Sequence, residues 1–251
     1  MSASPNTLFV HAHPDDESLW TGGTIAELTA RGAEVDLIVC TWAEGTHRHR
    51  ELLDAAAALG MARPPIMLGY ADSFVPESAP GAPRFIDVNL EEQVRLMVGH
   101  IRRLRPEVII TYNAYGIYGH PDHIHAHRLA VLAADAAALP LYEPELGRPW
   151  QTSSLYFATI PQSKVTIMRG YLATSSHIPM VGTPDDRVDL DLDVGDRLGA
   201  KIRAINAHAT EMSRSASMQE FAALPREPQR LFLTCESYRR RDLVPGGCDI
   251  S

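Results

Sequence analysis

Two short stretches hold most of the residues in this chain that could do chemistry. His13-Pro14-Asp15-Asp16-Glu17 follows the apolar run Leu8-Phe9-Val10, and Tyr118-Gly119-His120-Pro121-Asp122-His123 repeats the His-Pro-Asp order far downstream. Imidazoles beside carboxylates form the donor set of a divalent metal. Two imidazoles and one carboxylate suit Zn2+, and three protein ligands that leave one position for water make a catalytic site rather than a structural one. A metal so held brings the pKa of its water towards about 7 and polarises a carbonyl. A second carboxylate, outside the ligand set, must then take the proton. Asp15 and Asp16 are adjacent, and in an extended strand they would face opposite ways. At a turn they can diverge, one towards the metal and one towards the water. Fe2+ could fill the same nitrogen–oxygen site, because affinity order and availability compete.

For the clusters to meet, the fold must bring position 13 beside position 120. Residues 7 to 12 read as a first strand, 33 to 41 as a second, 65 to 68 as a short third, 106 to 111 as a fourth and 154 to 160 as a fifth. Helical patterns fall between them at 18 to 31, 48 to 59, 90 to 104 and 121 to 138, with Gly32 and Gly60 as stops and Pro121 in a first turn. Strands alternating with helices predict an α/β, Rossmann-like fold, a mostly parallel sheet of order 3-2-1-4-5 flanked by helices. In such a sheet ligands bind outside the carboxyl ends of the strands where the order reverses, between strands one and four. Those are the two strands followed by the His-Pro-Asp clusters.

The core is expected over residues 1–140. Residues 141–251 form a smaller C-terminal portion that completes the sheet and walls the cleft within one structural unit. There, 174 to 188 reads as irregular chain, 188 to 193 alternates as a half-exposed strand, 195 to 209 is helical, and Tyr238-Arg239-Arg240-Arg241 reads as an exposed turn. The stretch from Gly69 to Val88 is rich in Pro, Gly, Ser and Ala without a period, and long loops are disproportionately functional.

Composition narrows the partners. Apolar residues make up 45% and charged residues 22% of 251 positions, enough for an ordinary globular core. A net charge of −8, from 23 basic and 31 acidic residues, argues against nucleic acid as a partner, since phosphate binding is built on clustered Lys and Arg. Cys40, Cys235 and Cys248 are too few and too far apart for a disulfide framework or a Cys-x-x-Cys metal site. The N-terminus shows no signal-peptide pattern, and no apolar stretch approaches the roughly 18 residues of a membrane span. A soluble, cytoplasmic protein acting on a small molecule, with no membrane partner, is the expectation.

The paired motifs, His13-Pro14-Asp15-Asp16-Glu17 with Gly119-His120-Pro121-Asp122-His123, resemble the zinc-dependent N-acetylglucosaminylphosphatidylinositol deacetylase-like (PIG-L, LmbE-like) family. Its mycothiol-pathway deacetylases and conjugate amidases are nearest in style. The resemblance covers roughly the first 140 residues. It implies that His13, Asp16 and His123 bind one Zn2+ and that Asp15 is the general base. It implies that His120 polarises the amide oxygen or protonates the leaving amine, with Asp122 orienting a histidine and Tyr118 facing the tetrahedral intermediate. Arg48 and Asp72 match substrate-binding positions of the family. The implied reaction is removal of an N-acetyl or N-acyl group from a small molecule containing an amino sugar. Two departures stand out: Ala43-Glu44 where relatives have Gly-Glu, and Glu211 in His208-Ala-Thr-Glu211 where relatives carry Gln.

Plainer readings compete. The Asp pair could merely cap a helix, and His120 and His123 could be exposed turn residues. His127, four residues after His123, could be a ligand, but a helical histidine is more often hydrogen-bonded or exposed. His47 to Arg50 reads as a solvated helix start with one residue available for anion recognition. Glu17 and Ser18 read as helix-cap chemistry. His177 and His208 have no partner evident from spacing, His208 being the nearer to the site by resemblance. Within the same chemistry the substrate could be a larger thiol conjugate or a natural-product glycoside. A metal-dependent phosphoesterase would need a second metal, and a dinucleotide-binding module lacks a Gly-x-Gly-x-x-Gly after the first strand.

Overall fold

The structure, a computed structural model, describes residues 4–171 and 181–251. His177, and the irregular segment expected from 174 as far as residue 180, lie outside the described residues. A seven-stranded sheet in the order β3-β2-β1-β4-β5-β7-β6 forms the middle layer. β1 (Thr7–His11), β2 (Val35–Thr41), β3 (Ile66–Tyr70), β4 (Val108–Tyr112) and β5 (Ser154–Thr159) run parallel in the expected order 3-2-1-4-5. β1, β2 and β4 are buried at every position, the signature of strands covered on both faces.

Helices α1 (Asp16–Trp20), α2 (Gly22–Ala30), α3 (His47–Ala58), α4 (Leu90–Leu104), α5 (Gly116–Gly119) and α6 (Pro121–Ala137) make the crossovers. α4 illustrates how local chemistry sets an element. Asn89 caps it by accepting the N–H of Glu91, Val94, Met97, Val98 and Ile101 make its buried stripe, and Arg105, at φ 53°, ends it in the left-handed conformation. The single helix expected over 18 to 31 is two. Thr21, at φ −138°, breaks it: its hydroxyl donates to the Glu17 carbonyl and pairs at 2.9 Å with His11 Nε2. That turn frees α2 to pack through Gly23, where an added Cβ would stand 2.4 Å from Val194.

The Gly69 to Val88 stretch folds back on itself. Short 3-10 turns at Pro76–Ser78 and Phe85–Asp87 and a bridge between Ala71 and Arg84 fix it, and the Phe85 ring is fully buried. Beyond residue 140 the chain adds α7 (Gln162–Tyr171), β6 (Leu190–Asp193), α8 (Leu198–Ala207), α9 (Ala209–Arg214), α10 (Ala216–Ala222), α11 (Arg226–Leu233) and β7 (Cys235–Asp242). β7 corrects the reading of Tyr238 to Arg241 as a turn. It is a strand, antiparallel to both β5 and β6. Its inward residues are polar, which hides it from a hydrophobic pattern. Glu236 accepts the N–H groups of Gly23 and Thr24 at 2.8 Å and pairs with buried Lys201 at 2.5 Å, while the Tyr238 hydroxyl meets Thr24 Oγ1 at 2.6 Å. A carboxylate facing the exposed N–H groups of a helix start is favourable electrostatics. β7 thereby clasps residues 141–251 onto the first half.

Among the described residues, no helix is long and apolar enough to cross a membrane.

Candidate metal centre

The sheet carries β1 and β4 side by side, and the chain leaving each one enters the same crevice. His13 follows β1 and Asp16 opens α1, while His120 caps α6 and His123 lies in its first turn. His13 Nδ1 lies 3.2 Å from His123 Nε2 and 3.2 Å from Asp16 Oδ2, and His123 Nε2 lies 3.3 Å from Asp16 Oδ1. The remaining ring nitrogens are engaged elsewhere: His123 Nδ1 pairs with the Gly116 carbonyl at 3.2 Å, and His13 Nε2 with Asp122 at 3.0 Å. A carbonyl and a carboxylate can only accept, so those nitrogens carry the protons. With both imidazoles neutral, the nitrogens that face each other are then lone pairs converging on a carboxylate. Such an arrangement repels itself unless a cation sits in it, and the donor set fits a divalent metal. The same field acts on protons. Burial opposes a charge on His13, yet the hydrogen bonds its ring gives to Asp122 and Asp16 and the charges of Asp16 and Asp72 leave its pKa well above the usual value, so that without metal a proton takes the cation's place.

Asp16 is itself oriented. Tyr112, the last residue of β4, donates its hydroxyl to Asp16 Oδ2 at 2.6 Å, the His13 N–H donates to the same oxygen, and Trp20 Nε1 donates to Oδ1. Asp122 lies one layer out. Its two oxygens take the Ser73 hydroxyl at 2.5 Å, the Ser73 N–H at 3.0 Å and the His13 ring. Asp72 is buried: Oδ1 accepts from the N–H groups of Phe74 and Val75, and Oδ2 stands 3.3 Å from His13 Nε2. Ligand atoms of His13, His120 and His123 all fall within 4.8 Å of one another, and so do those of His13, Asp72, His120 and Asp122.

His120 is buried and neutral. Burial, then the charges of His13 and His123, push its pKa down to about 3. Its Nδ1 accepts the Asp122 N–H, so the proton sits on Nε2 and is available for donation. The Tyr118 ring lies 5.0 Å from that of His123 and 6.1 Å from that of His120, and burial near Asp16 and Asp15 holds its phenol protonated. Trp20, Tyr118, His120 and Phe74 follow one another as an aromatic arc, neighbouring centroids 6.1, 6.1 and 4.8 Å apart.

Asp15 turns away from Asp16. Its φ of 118° lies outside the ordinary range for a side-chain-bearing residue, and that twist lets the two carboxylates diverge. Asp15 stands at the start of α1, yet its side chain makes no capping hydrogen bond. Burial pushes its pKa up to about 7, with the Arg48 charge pulling the other way and Asp16 adding to the rise. Arg48 Nη2 lies 3.2 Å from Asp15 and donates to the Pro14 carbonyl, while Nη1 donates to Glu211 at 2.5 Å. Arg48 is buried, so its contacts are with protein groups. Beneath Asp15, Glu17 accepts the Asp15 N–H at 2.9 Å and meets His208 Nε2 at 2.7 Å. The His208 Nδ1 atom is buried without a hydrogen-bond partner. Asp15, Leu19, Ile205, His208, Glu211, Met212 and Met218 line a small pocket on this flank.

The structure therefore gathers His13, Asp16, Asp72, Tyr118, His120, Asp122 and His123 in one crevice, with Asp15 and Arg48 on its flank. His127 stays out, its Nδ1 on the Tyr112 carbonyl at 2.8 Å. Tyr112, Trp20, Ser73 and the Glu17–His208 pair were not singled out as site residues from sequence. Tyr112 carried a signal, as a polar aromatic ending a strand at the switch point. Ser73 carried none beyond adjacency to Asp72, and His208 only the family resemblance that set it nearer the site.

A parallel sheet whose switch point presents two imidazoles, a ligand carboxylate and a second, diverging carboxylate has the parts of a metal-dependent hydrolase. Comparison with known proteins narrows the class. Residues 8–134 match the model of the PIG-L family, described as GlcNAc-PI de-N-acetylase, and the chain belongs to that family. It is 38% identical, over 87% of its length and 85% of the relative's, to the 1D-myo-inositol 2-acetamido-2-deoxy-alpha-D-glucopyranoside deacetylase of Mycolicibacterium gilvum. It is 37% identical to the enzyme of the same name from Rhodococcus erythropolis, over 88% and 86% of the two chains. The N,N'-diacetylchitobiose deacetylase of Pyrococcus horikoshii shares the fold, with a TM-score of 0.67 and 17% identity over 95% of this chain and 84% of that one.

Proposed function

We propose that the protein is a zinc hydrolase that removes the acetyl group from an N-acetylated amino sugar carried on a small polar aglycone, of the kind named for its M. gilvum and R. erythropolis relatives. The observation that carries the reading is the convergence of His13 Nδ1, His123 Nε2 and Asp16 with Asp15 alongside. His13, Asp16 and His123 hold one Zn2+ per chain, which supplies Lewis acidity and a more acidic water when bound. Asp15 accepts a proton from the attacking water as its oxygen bonds to the amide carbon. His120, neutral and protonated on Nε2, donates to the oxygen that gains charge, and the Tyr118 phenol stands as a second donor. When the carbon–nitrogen bond breaks, the proton held by Asp15 passes to the departing amine. Asp122 keeps His13 in the tautomer that leaves Nδ1 free. The contacts of Arg48 and Asp72 support positioning roles for both. Arg48 holds Asp15 and Glu211, and Asp72 holds the loop beside His13. Nothing in these contacts requires a nucleic-acid or membrane partner.

Metal content and amine release, measured on wild type and Asp15→Asn with an N-acetylglucosaminyl conjugate, test the reading. One metal in each protein with amine from wild type alone supports it, and absence of metal from both overturns it. The second constellation, His13-Asp72-His120-Asp122, is the observation on which a two-metal phosphoesterase would rest. Two metals per chain would favour that reading. Retained metal with amine released only from larger acyl conjugates would move the substrate to a thiol-conjugate amide.

A further inference from the structure

Phe74 leaves 64% of its surface in solvent although it adjoins the buried Asp72, Ser73 and His120. Its position is not a loose loop tip. The Asp72 carboxylate accepts the Phe74 N–H at 2.7 Å and the Val75 N–H at 3.1 Å, and the Asp72 N–H donates to Ser78 Oγ at 2.8 Å. Ser73, directly before it, is tied through its N–H and hydroxyl to Asp122. The backbone that carries the ring is thus fixed to the residues that orient His13. The ring itself stands nearly perpendicular to the His120 imidazole, at 77° and 4.8 Å between centroids. One side of Phe74 is covered by the His120 ring, and most of the rest of the ring is bare.

Leaving a phenyl ring in water forfeits the stabilisation its burial would bring. A ring so placed, on a clamped backbone and within one ring's width of the imidazole assigned to the carbonyl oxygen, has the properties of a contact surface for a ligand. We infer that Phe74 is a specificity-determining residue: its exposed face is the platform on which the pyranose ring of the substrate's amino sugar stacks. This rests on the proposed function for the identity of the amide. A gluco-configured pyranose has its hydroxyls in the ring plane and its C–H bonds directed at its faces. The partly positive hydrogens of one face meet the negative face of an aromatic ring. An equatorial acetamido group leaves such a stacked sugar edgewise, so it can extend past the Phe74 edge towards His120 and the metal ligands. An acyl chain lying on the same ring would instead make the enzyme selective for the acyl group.

The test separates these. Wild type, Phe74→Ala and Phe74→Tyr are compared in kcat/KM for methyl N-acetylglucosaminide, methyl N-butyrylglucosaminide and N-acetylethanolamine, which has the amide without the ring. Binding of the product methyl glucosaminide to each zinc-loaded protein is measured by calorimetry. The expected result for Phe74→Ala is a loss of kcat/KM on the N-acetylglucosaminide that exceeds the loss on N-acetylethanolamine by about tenfold, carried by KM, with weaker binding of the glucosaminide to match. Phe74→Tyr restores both. Equal losses on ringed and ringless amides, a loss confined to kcat, or a loss confined to the butyryl substrate overturns the platform. If wild type hydrolyses no amide, the proposed function fails, and calorimetry still decides whether Phe74 binds the sugar.

Discussion

His13 and His123, 110 residues apart in sequence, face each other through ring nitrogens 3.2 Å apart. Each imidazole is locked by an acceptor on its far side, His13 by Asp122 and His123 by the Gly116 carbonyl. Metal should therefore be worth folding free energy. With Zn2+ at a hundredfold over Kd, the melting temperature of the metal-free protein should rise by the equivalent of about 2.7 kcal/mol. In His123→Ala most of that rise should be lost, and a melting curve unchanged by zinc in wild type would sink the assignment.

The proposed ligand set has Asp122 act through His13, to which it is hydrogen-bonded at 3.0 Å, rather than on the metal directly. Asp122→Asn should keep the stoichiometry but weaken zinc affinity by about 10- to 100-fold. Ser73→Ala, which removes one of the hydrogen bonds that orient Asp122, should shift affinity in the same direction by less. Competition titrations against a chelator of known affinity measure both.

The base should show itself in pH dependence. The Asp15 carboxylate must be ionised to accept a proton, and burial has pushed its pKa up to about 7. Activity should therefore fall as pH drops through that region. Arg48 favours the ionised form, so removing its charge must raise the pKa further. Arg48→Met should move the acidic limb of kcat/KM to higher pH, and a limb that stays in place or moves down would show that Arg48 does not hold Asp15.

Away from the crevice, Lys201 and Glu236 form an ion pair with almost no exposure. Lys201→Met should destabilise the protein by about 3 to 5 kcal/mol, since it leaves a carboxylate buried without its cation. Replacing both partners with apolar residues should return part of that loss. Denaturant melts of the single and double variants decide it.

How much of this could be read beforehand depended on pattern. β1, β2 and β4 are largely apolar, β-branched runs, so the parallel sheet, its order and the meeting of the two His-Pro-Asp clusters followed from sequence. β7 escaped because its inward face carries Glu236 and Tyr238 and its outward face arginines, with no hydrophobic alternation. The same blindness hid the Glu17–His208 pair, where two polar residues 191 positions apart satisfy each other in the interior. Thr21 was likewise invisible as a helix break, because the cause is its hydrogen bond to His11 in a neighbouring strand.

The backbone twist at Asp15 has a consequence for the protein's stability as well as its chemistry. A residue held at φ 118° carries strain on the order of 1–3 kcal/mol that glycine would not feel. Asp15→Gly and Asp15→Ala both lose the carboxylate and its contact with Arg48, so both should be catalytically dead, and the glycine variant should melt at the higher temperature of the two because it alone is relieved of the strain. A fold built for sturdiness alone would place glycine there, and the proposed role of Asp15 as the base accounts for a side chain being held at that twist instead.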